Sequence, residues 1–439
     1  MSLLGKRSVS LAAIIALFSA MAFAYLSQVP LGPPVDADFR FDHTWDDSCT
    51  VNKIGGFEVT EGPNQFSTSS TANINAVKIT PAINKTNWEQ WEFDAMSHSG
   101  LSFLLVTFSR DYAYHFFGKG TLRMEFYLTL PDGTVTQELD YAQESTIIEC
   151  PGHISGIWNG TDVSYSFHVT KDMKHAKLYF DSWRIRGTYT LSATTPPYHA
   201  DGSPYNPEAG NEKATEISPG LFYSLPTAGG EVEVEATLWG GKRLYVKGRG
   251  GSTRLWAHDS WLKVSERWLA IRAWAGPYTF TYWDVISRID QGVKYVSAHL
   301  FYNDELLVGT QVGNVSDKAD YVLKQAFHDG EIAGKYLDRN TGHHFEFNSP
   351  SQGKKWSFDM QHIVAQYQMG VGEGFGMSGF ADRVTGGEVG GPQYEGRGQT
   401  EQTLFPEYIP DWIVWIMYGA GLLGTGKDLI FKFAAIILR

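Results

Sequence analysis

GRGGSTRLWAHDSWLKVSERWLAIRAWAGPYTFTYWDVIS, residues 248–287, decides how the rest of the chain is read. It opens on a glycine cluster, Gly248, Gly250 and Gly251, entered from the strand-like run Arg243–Lys247. Glycine at a strand end signals a left-handed residue or a close backbone approach. The cluster gives way to a dense aromatic series: Trp256, Trp261, Trp268, Trp274, Tyr278, Phe280, Tyr282 and Trp283. Rings this dense form either a core or the wall of an apolar pocket. His258, Asp259 and Arg272 are the polar groups set among them. Trp268–Trp274 and Phe280–Ile286 read as strands, and together with the glycines they point to a β-rich fold.

Working outward, the same texture recurs. Trp88–Ala95, Leu101–Phe108, Thr121–Leu130, Val163–Val169 and Lys177–Ser192 are strand-like, as is Ile74–Ile79. Pro131-Asp-Gly133, Trp239-Gly-Gly-Lys242 and Asn303-Asp304 are hairpin signals. Thr195–Pro219 is proline-rich and poor in apolar residues, which places a linker at 196–220 between β-domains at 51–195 and 221–409. Residues 25–50 read as an extended arm. Trp412–Gly424 and Leu429–Leu438 are apolar runs broken by Gly426-Lys-Asp428, each too short to span a bilayer. A tail of two short helices at 410–439 is expected, packed on the protein or in contact with a membrane surface. The fold class is all-β, two barrel-like sheets side by side.

Composition narrows the partners. A net charge of −12 and the lack of a long Lys/Arg run exclude a polyanion-binding surface, so no nucleic acid is expected. With 43% hydrophobic and 14% aromatic residues, a hydrophobic small molecule is the expected ligand. Lys6 and Arg7, the apolar run Val9–Phe23 and Ala22-x-Ala24 read as a signal peptide, residues 1–24. Entry into the secretory pathway makes a Cys49–Cys150 disulfide the default, and Asn84, Asn159 and Asn314 head three glycosylation sequons. Neither cysteine has a near neighbour at zinc-ligand spacing, and no metal is expected. The sequence does not speak to oligomeric state.

No nucleophile elbow, P-loop or dinucleotide fingerprint is present. In Trp88–Ala95, alternation puts Glu89, Trp91 and Phe93 on one face and Gln90, Glu92 and Asp94 on the other. A carboxylate between rings would be desolvated and its pKa raised, which suits a proton donor. That favours Glu89 over Glu92. His258-Asp259 is an acid–base pair or an ordinary loop pair. Arg272 is a buried cation in need of a partner. Arg383 is a weaker cation, with Asp382 beside it. Arg110–His115 reads as a loop or strand end. His343 and His344 would face opposite sides of a strand. Tyr278 and Tyr394 are core tyrosines or pocket donors.

The pattern G-x-GG…W…SW…R-A-x-AGPY, with WEQWEFDA at 88–95 and TGGEVGGPQYEG at 385–396, resembles the fungal Diels–Alderase family, two-domain calycin-like proteins distantly related to hydroxyneurosporene synthase-type carotenoid hydratases. The resemblance covers most of residues 50–405. It implies a cofactor-free pericyclase with its pocket between the domains. The leader, cysteine pair, sequons and tail are most similar to the hetero-Diels–Alderases of tropolonic sesquiterpenoid pathways. These add an o-quinone methide, formed by dehydration of a benzylic-type alcohol, to a humulene-type alkene. Under that resemblance Glu89, Asp259, Arg272 and Arg383 are the catalytic candidates. Trp91, Phe93, Trp256, His258, Trp261, Trp274, Tyr278 and Tyr394 are the substrate-binding ones. The alternatives are an intramolecular decalin-forming Diels–Alderase, a terpenoid hydratase or cyclase, a lipocalin-like carrier, and a structural β-protein with no cavity at the domain junction.

Overall fold

The computed structural model of the chain describes residues 45–112, 120–161, 163–336, 339–372 and 374–408. The expectations for the signal peptide, for most of the N-terminal arm and for the apolar tail lie outside the described residues.

The described chain is almost entirely antiparallel sheet, in two barrel-like layers. In the first the neighbours run Thr50–Gly55, Glu144–Glu149, His153–Asn159, Val163–Thr170, His175–Ser182, Ile185–Ala193, Leu221–Leu238, Arg243–Ala257, Trp88–Ser97, Phe103–Asp111, Leu122–Thr129 and Val135–Tyr141. Tyr198–His199 and Glu216–Ser218 pair onto Leu221–Leu238. The second runs Glu305–Thr310, Lys294–Tyr302, Tyr278–Ser287, Ser265–Ala275, Tyr394–Leu404, Phe375–Glu388, Lys354–Gly372, Gly342–Ser349 and Tyr321–Phe327. All three expected hairpins form, with Gly133, Gly240, Gly241, Asn303 and Asp304 at positive φ, as tight turns between twisted strands require. Ile74–Ile79 is a correction: only Ile79–Thr80 is a strand.

The expected domain boundary is also corrected. Residues 221–257, read as the start of the second domain, complete the first sheet, which changes to the second only at Ser265. A proline-rich, polar stretch marks an irregular segment, but composition does not reveal which strands pair across it.

Burial shows why these long strands belong to both layers. In Leu221–Leu238 the first ten residues are all buried, whereas Glu231, Glu233 and Glu235 then alternate with buried Val232, Val234 and Ala236. Alternation is the mark of a sheet with one wet face; an unbroken buried run is covered on both. Phe103–Asp111, Leu122–Thr129 and Tyr278–Ser287 are buried throughout in the same way. The inner faces form two separate cores. One is built on Trp91, Phe93, Phe108, Trp158 and Phe167, the other on Phe280, Phe345, Phe347, Trp356 and Phe358. The outer faces of the two sheets meet each other.

Cys49 and Cys150 form the expected disulfide, which agrees with an oxidising compartment. It pins Thr50–Gly55 beside Glu144–Glu149 across a sequence separation of 101. In the chain-entropy view a loop of about 100 residues is worth up to about 4.7 kcal/mol. Cys49→Ala with Cys150→Ala is therefore expected to lower the unfolding free energy by about 2–5 kcal/mol in urea titrations. An unchanged midpoint would mean that strand pairing alone holds the segment.

Candidate active site

The junction of the two outer faces encloses a cavity with about 1170 Å³ of empty space, its open mouth included. The strand Trp88–Ser97 shows how it is made. Its alternation is as expected, but the ring face is core: Trp91 and Phe93 point into the first barrel. Gln90, Glu92 and Asp94 take the other face and line the cavity. Trp261, Trp268, Trp283, Tyr223 and Phe405 form an aromatic wall, and Tyr127 and Tyr367 meet across the layers with ring centroids 4.2 Å apart.

Arg272 bolts the layers together. Carried by the second sheet, its Nε donates to Asp94 Oδ2 at 2.9 Å, its Nη1 to the carbonyls of Thr227 and Ala228 at 2.7 and 2.6 Å, and its Nη2 to Thr253 Oγ1 at 3.0 Å, all on the first. The glycine cluster makes room for this. A Cβ on Gly251 would lie 2.2 Å from Arg272 Nη1, and one on Gly250 2.0 Å from the Asp94 carbonyl. Close approach, not left-handed backbone, is what these glycines supply.

The carboxyl groups of the cavity are unequal. Glu401 accepts from Trp268 Nε1 at 2.8 Å and from the Tyr367 hydroxyl at 2.5 Å. Burial raises its pKa while these two donors pull it back. Burial also raises Asp94, and the Arg272 charge opposes it. Glu125 is tied to Arg123, Tyr127 and Gln137. Glu92 has no side-chain hydrogen bond among the described residues, and what exposure it keeps is to the cavity it lines. Burial pushes its pKa well above the carboxylate range, and the nearby Glu401 and Asp94 push it further. A shift in that direction favours the protonated acid, whose O–H is a donor into the cavity.

Of the residues named from the sequence as catalytic or substrate-binding, the structure brings Arg272 and Trp261 to the cavity, together with Glu92, the less favoured carboxylate, and Trp268, Tyr282 and Trp283 of the aromatic series. The other catalytic and substrate-binding candidates lie elsewhere. Glu89 is on the core face, fully buried against Arg254 Nη2 at 2.5 Å and Arg110 Nη1 at 3.4 Å. That pairing answers its desolvation without any ligand, with Arg254 stacked 3.7 Å over Trp91. Asp259 accepts from the Ser260 amide and pairs with Lys263 at the surface. His258 stacks on Phe66. Trp256 donates to the Ser67 carbonyl and stacks on Phe222. Trp274 packs beside Arg249. Tyr278 and Tyr394 meet edge to face near Phe358 in the second barrel. Arg383 is exposed on Gln361, while Asp382 faces inward to His362 and Thr400. His343 and His344 do take opposite faces. Asn84, Asn159 and Asn314 head their sequons on the described surface, with Asn314 exposed. Glu401, Tyr367, Tyr223 and Trp283 were not singled out as site residues, and nothing in the local sequence around Glu401 distinguishes it from a surface carboxylate.

The Diels-Alderase-like family model matches residues 46–406. This chain belongs to that family. It is 59% identical over 423 residues to hexane cyclase xenF of Xenoacremonium sinensis, covering 96% of this chain and 97% of that one. Diels-Alderase mycB of Thermothelomyces thermophilus is 43% identical over 423 residues, with 94% and 95% covered. Among solved structures, that of CghA superposes with a TM-score of 0.71 at 25% identity, covering 82% of this chain and 99% of that one.

Proposed function

We propose that this protein is a pericyclase that closes a six-membered carbocycle by cycloaddition within a single polyene, folded into the cavity between the sheets. The observation that carries the reading is Glu92, a carboxyl with no hydrogen-bond partner among the described residues, facing an aromatic-walled cavity where burial favours its protonated form. A [4+2] closure forms two C–C σ bonds from three π bonds, leaves one π bond, and moves no proton. It requires the diene and alkene to be held face to face, which the walls of Trp261, Trp268, Trp283 and Phe405 supply. It is accelerated by a hydrogen bond to a carbonyl conjugated with the alkene, because withdrawing density from that oxygen lowers the acceptor orbital. A Glu92 O–H donates such a bond in a dry site. The relatives named hexane cyclase and Diels-Alderase, aligned over nearly the whole chain, support ring closure.

The two-component hetero-Diels–Alder addition draws on the leader, the sequons and the tail, and not on residues of the cavity. One experiment separates the readings. Purified full-length protein from a secretory host is offered a linear trienone, with a conjugated diene and an enone on one tether. In parallel it is offered a tropolone-type benzylic alcohol with a humulene-type alkene. The expected result is faster, single-enantiomer closure of the trienone. Selective turnover of the second mixture alone would replace this reading with hetero-addition. Binding of both without turnover would leave a carrier.

A further inference from the structure

One polar corner of the cavity has a direction built into it. His299, fully buried on Lys294–Tyr302, has its Nε2 3.0 Å from the backbone carbonyl of His199. A carbonyl only accepts, so Nε2 carries the proton. Burial lowers the His299 pKa to about 4, so the ring is neutral at working pH and Nδ1 holds a lone pair. Thr281 Oγ1 stands 3.1 Å from Nδ1 and must donate its only proton there. The Thr281 oxygen is left as an acceptor, and the Tyr223 hydroxyl interacts with it; with the Thr281 proton committed to Nδ1, a bond between the two hydroxyls takes Tyr223 as its donor. Thr281 and Tyr223 both line the cavity. Every proton in this chain points away from the cavity, toward the His199 carbonyl.

We propose that the Tyr223–Thr281 pair is a specificity-determining acceptor, with His299 behind it as the positioning residue that sets its polarity, so that the site selects a substrate bearing a hydroxyl at this wall. The neighbouring donor completes the match. The Trp283 indole N–H, on the ring that meets Tyr223 at 4.6 Å, has no partner among the described residues. A hydroxyl donates and accepts and so satisfies both groups; an ether satisfies the indole alone. The inference rests on the cavity being the substrate site, as proposed above.

The test uses a linear dienol and its methyl ether as probes, with affinity read from tryptophan fluorescence. In the wild type the dienol is expected to bind about tenfold more tightly or better, the worth of one buried hydrogen bond. Thr281→Val, nearly isosteric, should bring the ratio to within about threefold. His299→Leu should do the same although Thr281 and Tyr223 remain, because Thr281 is then free to turn its O–H into the cavity. Ether binding should tighten in that variant, which a merely structural role for His299 would not produce. Equal binding of both probes by the wild type would overturn the inference and leave the proposed ring closure standing. So would a ratio that Thr281→Val leaves intact, which decides the matter even if His299→Leu does not fold. Binding of neither probe would overturn the cavity as substrate site and this inference with it.

Discussion

Arg272→Ala is expected to lower the unfolding free energy by about 3–5 kcal/mol, the usual cost of removing one partner from a buried ion pair. Four hydrogen bonds between the layers go with it, and Asp94 is left buried without a cation. The deficit should grow with pH. Burial already raises the Asp94 pKa against the pull of Arg272, so without the arginine it rises further. A carboxyl whose folded-state pKa exceeds its unfolded value binds more protons in the folded state. Stability then falls as pH climbs above the unfolded value of about 3.8, by up to about 1.4 kcal/mol per unit. Urea titrations at pH 5 and pH 8 read both effects. Gly251→Ala should reproduce much of the loss with Arg272 still present, since the added methyl occupies the space of Nη1. A cost below about 1 kcal/mol for either variant would show that the layers are held by their apolar contacts instead.

Substitution of Glu92 is expected to move activity and stability in opposite directions. Glu92→Leu removes the donor and should slow ring closure about 100-fold, the scale seen when one preorganised donor is lost from a dry site. Glu92→Gln keeps a weaker N–H donor and should lose about tenfold. For the wild type the rate should hold at low pH and fall as pH rises through the raised pKa of Glu92, whereas the glutamine variant should be flat. Stability runs the other way. The wild-type carboxyl holds its proton to higher pH when folded than when unfolded, where it ionises above about pH 4.5, so it destabilises progressively as pH rises. Glu92→Gln should match the wild type near pH 4 and be the more stable protein at pH 8. A rate profile that Glu92→Gln leaves unchanged would move the donor role to another group.

Much of this architecture is legible in the sequence because its signals are local. Asn303-Asp304 and Pro131-Asp-Gly133 specify turns by their own backbone preferences, and the period-2 pattern of Trp88–Ala95 separates its two faces correctly. Which of those faces meets a ligand is not local. Glu89 looks like the desolvated acid because it lies between rings; the arginines that neutralise it, Arg110 and Arg254, are 21 and 165 residues away. The same reasoning applied to Glu92 finds its setting only when Glu401, from the far end of the chain, is placed nearby. Arg272 stood out because a cation in an aromatic strand must have a partner, and it does. The linker misled because proline content reports irregular backbone, while sheet membership is decided by pairings such as Gly250 with Ala95.

The most direct test of the central claim is the enantiomeric excess and rate of trienone closure by Ala270→Phe beside the wild type. Ala270 lines the cavity, so the larger ring should occupy the space in which the polyene folds. The account predicts closure at the buffer rate, to racemic product, by a protein with an undiminished thermal transition. Undiminished selectivity from that folded variant would place the chemistry outside the inter-sheet cavity and contradict the account.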